Sequence, residues 1–259
     1  MTFSEVLVLL AAGTLGGIFS TVVSIASLVS YPVLLALGVP PLSANMTNTV
    51  SLVLTGAGSV ISSRPELAGQ GQRVLRLGII TALGGAAGAT VLLLTPASTF
   101  TVVVPVLIGG ASLVLLVQPR IKGLSPAADG GDRLGQGIAL FAVAMYVGYF
   151  GAAAGVMLLV VLSMMISESL VKVNAVKNAV SGMANALAAV CFALFGDVRW
   201  AFVVPLAAGF LVGGWLGPKI CQEGTRWAVP GRRQPVRDRP RGEAGHERIP
   251  LTWMICQSK

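Results

Sequence analysis

Polar residues spaced for one face of a helix occur twice in this otherwise apolar chain. Asn48, Ser51, Thr55, Ser59 and Ser62 fall at i, i+3, i+7, i+11 and i+14. Asn174, Asn178, Ser181 and Asn185 fall at i, i+4, i+7 and i+11. At the helical period each set forms a single stripe. Lys177 borders the second stripe, three residues after Asn174 and four before Ser181. Amide and hydroxyl donors beside one ammonium group suit a small oxyanion. They replace part of its hydration shell, and the positive ends of broken helices add favourable potential. The residues expected to touch such a solute are Thr47, Asn48, Ser51, Asn174, Lys177, Asn178, Ser181 and Asn185. The competing reading is structural: Ser, Thr and Asn hydrogen-bond neighbouring helices, and Lys177 snorkels to the headgroups.

Other chemistry has little raw material. Cys191, Cys221 and Cys256 form neither a CxxC pair nor a metal-ligand spacing, and the single histidine, His246, lies in a polar tail. No GxxxxGK[ST] loop is present. No acid stands clearly inside an apolar stretch, where a proton relay would need it. The expectation is no metal, no cofactor and no enzymatic activity.

The elements that must position the stripes are membrane helices. Apolar residues make up 54% of the chain and charged residues only 11%, with a mean hydropathy of +0.82. A soluble domain carries about 25% charged residues. Charge is absent from 6–63, 77–119, 134–167, 178–196 and 200–218, and a crossing needs roughly 20 apolar residues. The N-terminus lacks the basic region of a cleavable signal peptide, so the first stretch reads as a retained span. That stretch, about 6–37, is interrupted by Gly13, Gly16, Gly17 and Pro32, and is either a tilted broken helix or a re-entrant pair. Further spans are expected at about 44–63, with Ser43 as cap, and at 77–95, 100–118, 134–166, 171–195 and 199–219. The fold class is all-α: a polytopic bundle of about seven to eight spans, in two homologous halves with Gly-interrupted helices.

The formal charge of +8 splits into +4 over 1–220 and +4 over the much shorter 221–259. This reflects Lys and Arg retained on the cytoplasmic side of a cell (inner or plasma) membrane rather than nucleic-acid binding. The partners expected are the lipid bilayer and a small anionic solute.

Sliding the chain against itself by about 130 residues gives an ordered internal match. Gly17-Ile18-Phe19 lies over Gly148-Tyr149-Phe150, Thr47–Ser51 over Lys177–Ser181, and Gly84 and Gly88 over Gly213 and Gly217. The domains read as a first repeat over 1–118, a polar basic loop over 119–133, a second repeat over 134–220 and a basic tail over 221–259. Gly17, Gly148, Gly151, Gly155, Gly213 and Gly217 are expected at helix breaks or close helix contacts. The repeat calls for a last span near 230–248, where the sequence is Pro-, Arg- and Gly-rich. The tail is either natively disordered or the product of a shifted reading frame or truncation, and the repeat favours the second.

The chain resembles the TauE/SafE family of sulfite exporter-like permeases. The resemblance rests on Tyr146–Gly155, Asn174–Asn178, Phe195–Trp200 with Gly209, Gly213 and Gly217, and on Gly16-Gly17, Pro32, Gly38–Pro41 and Ala44–Asn48. It implies an integral membrane transporter with two homologous halves, handling sulfite, sulfoacetate or related organic anions. The chain departs from the family at Ser20–Ser24, where glycines are usual, and after Ile220. The alternatives are a non-transporting structural or assembly protein and an inactive truncated permease.

Overall fold

The computed structural model describes residues 1–121 and 133–227, and every regular element among them is helical. The helices are α1 (Phe3–Val22), α2 (Ala26–Ala36), α3 (Pro41–Ser62), α4 (Arg64–Leu67), α5 (Gly71–Leu94), α6 (Ala97–Ile121), α7 (Arg133–Tyr149), α8 (Ala154–Met165), α9 (Leu170–Phe195) and α10 (Trp200–Trp227). Among the described residues four are long and apolar enough to cross a membrane: α1, α5, α9 and the Trp200–Ile220 part of α10. The expected seven to eight spans exceed this number for three reasons, the first being that the part of α6 described as an apolar helix, Ala97–Gly110, is short of a crossing. α3 has the length but carries the first polar stripe, and each long apolar stretch is divided into two helices.

The divisions are tight elbows. At the first, the amides of Val23, Ser24 and Ile25 all turn back to the carbonyl of Phe19, at 2.9, 2.7 and 3.4 Å, with Ser24 left-handed at φ +69°. At the second, the amides of Phe150 and Gly151 both reach the carbonyl of Tyr146 at 3.0 Å, with Gly151 at φ +72° and Ala153 at φ +54°. Gly13, Gly16 and Gly17 do not interrupt the first stretch: they lie inside α1, and Pro32 lies inside α2. A helical glycine costs only about 1 kcal/mol against alanine, and these three face close neighbours. Ser43 does not cap α3 either. Pro40 and Pro41 start that helix, as proline's fixed φ permits, and the Ser43 hydroxyl donates to Asp197 Oδ2 at 2.8 Å. α10 runs past Ile220, where a tail is expected, as far as Trp227. Residues 122–132 and 228–259, with most of the polar loop and the tail, lie outside the described residues.

Specific contacts set the directions of the helices. Ser43 at the start of α3 meets Asp197 beyond the end of α9, and Glu168 before α9 lies 3.9 Å from Arg73 at the start of α5. α3 and α9 therefore run antiparallel, and they cross where a Cβ on Gly56 would sit 2.8 Å from the Gly182 Cα. α1 runs parallel to α10 through the register Gly13/Gly209, Gly17/Gly213 and Thr21/Gly217. α7 runs parallel to α5 through Gly84/Ala144 and Gly88/Met145. Small residues at these seams let backbones approach, which is the main source of helix association inside a bilayer.

The result is a bundle with two distinct ends. One gathers 37–40, 95–96 and 196–199, with Glu5, Asp197 and Arg199; we call it the acidic end. The other gathers 63–70 and 166–169, with Arg64, Arg73, Arg76, Lys172 and Lys219 against Glu66 and Glu168; we call it the basic end. The α1–α2 hairpin enters from the acidic end and the α7–α8 hairpin from the basic end. Their elbows meet at the centre, where a Cβ on Gly155 would lie 2.6 Å from the Cβ of Ser24.

Candidate functional site

A cavity of about 50 Å³ lies where the two elbows meet the central helices α3 and α9. By the same measure a water needs roughly 10–15 Å³, so the space holds a few waters or one small solute. The first hairpin contributes Ser20, Thr21, Ser24 and Ser27, and the second contributes Phe150, Gly151 and Gly155. α3 contributes Thr49, Thr55 and Ser59; α9 contributes Lys177, Asn178, Ser181 and Asn185.

The first turns of α2 and α8 form part of this wall, and neither N-cap residue, Ile25 or Ala153, caps its helix with a side chain. A helix start carries about half a positive charge. The last turns of α1 and α7 line the same wall through Ser20, Thr21 and Val147, and their negative ends offset these starts, so Lys177 carries the positive charge of the wall. The Lys177 side chain is only 2% exposed, and its Nζ donates to the Ser24 hydroxyl at 2.6 Å. It does not snorkel. Ser24 holds the left-handed position that Gly151 holds in the other elbow. A residue other than glycine there costs about 1–2 kcal/mol, and the hydroxyl it carries is the one that meets the lysine. The departure from a glycine-rich motif at Ser20–Ser24 thus coincides with a contact to Lys177, the one cation among the described residues of the cavity wall.

Two polar atoms of the wall are buried without a hydrogen-bond partner among the described residues: Thr55 Oγ1 and Asn178 Nδ2, on residues 4% and 7% exposed. Each such atom costs about 1–3 kcal/mol while unpaired; both are covered by neighbouring atoms and meet a solute only when the side chain turns toward the cavity.

The expected site residues divide into two groups. Lys177, Asn178, Ser181 and Asn185 come together on the wall. Thr47, Asn48, Ser51 and Asn174 do not line it. Thr47 Oγ1 accepts from the amide of Arg199 at 3.1 Å, and the Ser51 hydroxyl donates to the Thr47 carbonyl at 2.8 Å. Asn48 accepts from the Ser30 hydroxyl at 2.5 Å and donates to that of Ser27 at 3.3 Å. Asn174 Nδ2 donates to the Thr21 carbonyl at 3.2 Å. The contrast between Asn48 and Asn178 has a local cause. α2 presents Ser27 and Ser30 to Asn48, whereas α8 carries one serine, Ser163, whose hydroxyl bonds its own helix at Leu159.

Of the glycines singled out, Gly151 forms the elbow and Gly155 packs on Ser24. Gly17 meets Gly213 and Gly214, Gly148 meets Gly85, and Gly217 meets Thr21, all inside helices. Ser20, Ser24, Ser27 and Thr49 are wall residues that helical spacing does not single out. Ser24 alone had a signal, the serine-rich departure just noted. The second elbow is held by packing: the Phe150 ring meets Tyr31 at 5.6 Å and Phe100 at 6.2 Å, and Tyr146 Oη donates to the Ala152 carbonyl at 3.0 Å.

The described residues are all-helical, with four helices long and apolar enough to cross a membrane around a polar centre that holds Lys177. Residues 9–228 match the family model for the sulfite exporter TauE/SafE, and the chain belongs to that family of membrane transporters. No match is found among the curated proteins or among the solved structures.

Proposed function

We propose that the chain is a secondary transporter of a small oxyanion, of the sulfite or organosulfonate class, and that the central cavity is its binding site. The observation that carries this reading is the pair of unpartnered, buried atoms Thr55 Oγ1 and Asn178 Nδ2, on wall residues of a cavity that also holds Lys177 and two uncapped helix starts. Lys177 supplies the charge, while Asn178, Ser181 and Thr55 supply donors in place of water. The basic end faces the cytoplasm of a cell (inner or plasma) membrane, by the retention of Lys and Arg on that side.

Thermal unfolding of the detergent-purified chain with sulfite, against chloride at equal ionic strength, tests the site. A ligand bound only by the folded state stabilises it by about 2.7 kcal/mol at a hundredfold excess over Kd. The expected result is a rise with sulfite that is absent in Lys177→Ala. An equal response to both salts, or a full response in Lys177→Ala, overturns the reading.

A further inference from the structure

Two asparagines stand in matching places at opposite ends of the cavity. Asn45, one turn into α3 from the acidic end and 1% exposed, donates its side-chain amide to the carbonyl of Tyr149 at 2.8 Å. Asn174, one turn into α9 from the basic end, donates to the carbonyl of Thr21 at 3.2 Å. Tyr149 is the last residue of α7 and Thr21 the last but one of α1. Both carbonyls belong to the final turns of helices that stop inside the bundle, where such groups have no partner in their own helix. Each asparagine therefore ties one elbow to the central helix of the opposite half. Along α3 the wall residues Thr49, Thr55 and Ser59 follow Asn45; along α9, Lys177, Asn178, Ser181 and Asn185 follow Asn174. The two ties bracket the cavity.

We propose that Asn45 and Asn174 are paired positioning residues that latch the two elbows, Asn45 closing the cavity toward the acidic end and Asn174 toward the basic end. The proposal rests on the carrier reading, since a carrier must open to one side while the other stays shut. The latch is a single hydrogen bond to a backbone carbonyl in each case. It can break and re-form without moving a charge, and the two are separate enough to act in turn. Neither asparagine lies on the cavity wall, so neither is needed for binding itself.

The test uses the full chain with its three cysteines replaced by serine and one reporter, Leu52→Cys, on the cavity wall. It is reconstituted in vesicles of known orientation and labelled with a membrane-impermeant thiol reagent from either side. The ratio of labelling rates from the acidic and basic ends is the readout, and it needs no substrate. Asn45→Ala is expected to raise the ratio at least threefold and Asn174→Ala to lower it at least threefold. Sulfite affinity in both should stay within about threefold of the parent, with flux reduced at least tenfold. Asn45→Ser and Asn174→Ser, whose shorter hydroxyl does not reach the carbonyl, should act in the same directions if an alanine variant fails to fold. Ratios that move together, or stay unchanged while flux is normal, overturn the latch. Absence of sulfite binding in the parent would instead defeat the carrier reading, and the ratios would still report on the latches.

Discussion

The hydroxyl of Ser24 receives a hydrogen bond from Nζ of Lys177 at 2.6 Å, joining the tip of the first hairpin to the central helix of the second half. The serine reaches this place only by adopting a left-handed backbone, a strain that clusters at functional sites. Ser24→Gly should keep the backbone without strain and lose the hydroxyl. The expected outcome is a stability within about 1 kcal/mol of the parent, relief of strain opposing the loss of the lysine's hydrogen bond, with sulfite affinity lowered severalfold. Denaturation and equilibrium binding on the same samples decide it. A loss of stability with unchanged affinity would make the serine a packing residue.

Asn48 and Asn178 separate in the opposite sense. Asn178→Leu removes a buried amide that has no partner for its Nδ2, so its stability cost should be near zero while anion binding is lost. Asn48→Leu strips Ser27 and Ser30 of a shared partner and should cost about 1–3 kcal/mol, with binding weakened far less. Equal losses of stability in the two variants would contradict the assignment.

The crossing of α3 and α9 at Gly56 and Gly182 sets the depth of the cavity, because both glycines line it. A methyl group on Gly56 would meet the Gly182 backbone at 2.8 Å. Overpacking of this kind costs about 1–3 kcal/mol. Gly56→Ala should lower the unfolding temperature and reduce flux together. A variant of parental stability would show that the helices part freely.

The two ends predict topology. With native cysteines replaced, Ser98→Cys at the acidic end should label from outside the cell, and Ala68→Cys at the basic end only after permeabilisation. Labelling of both from one side would contradict the antiparallel course of the two hairpins.

Much of the fold was legible because charge-free runs and helical spacing report directly on membrane helices. The end of α9 at Gly196, the start of α10 at Trp200 and the charged turn between them follow from composition alone. The elbows were less visible. Gly13, Gly16 and Gly17 look like breaks, yet they sit in helix against α10, Gly16 against its Phe210 ring, while the real break falls at Ser24. Backbone conformation there depends on a partner 153 positions away. The cavity wall was legible for α9 and only in part for α3, where Thr55 and Ser59 of the stripe reach it and Asn48 and Ser51 do not. A stripe states which residues share a face, but not which neighbour that face meets. Thr47 is taken up by Arg199, and Asn48 by Ser27 and Ser30. Their α9 counterparts, Lys177 and Asn178, meet the cavity. Asn45 and Asn174 show the same limit, since a bond to a distant carbonyl leaves no periodic trace.

The most direct test of the central claim is sulfite flux in proteoliposomes carrying the parent chain or Lys177→Ala. The parent should move sulfite above the level of empty vesicles, competed by small sulfonates but not by chloride, and the variant should lose at least tenfold. Flux that is absent from the parent, or unchanged in Lys177→Ala, would contradict it.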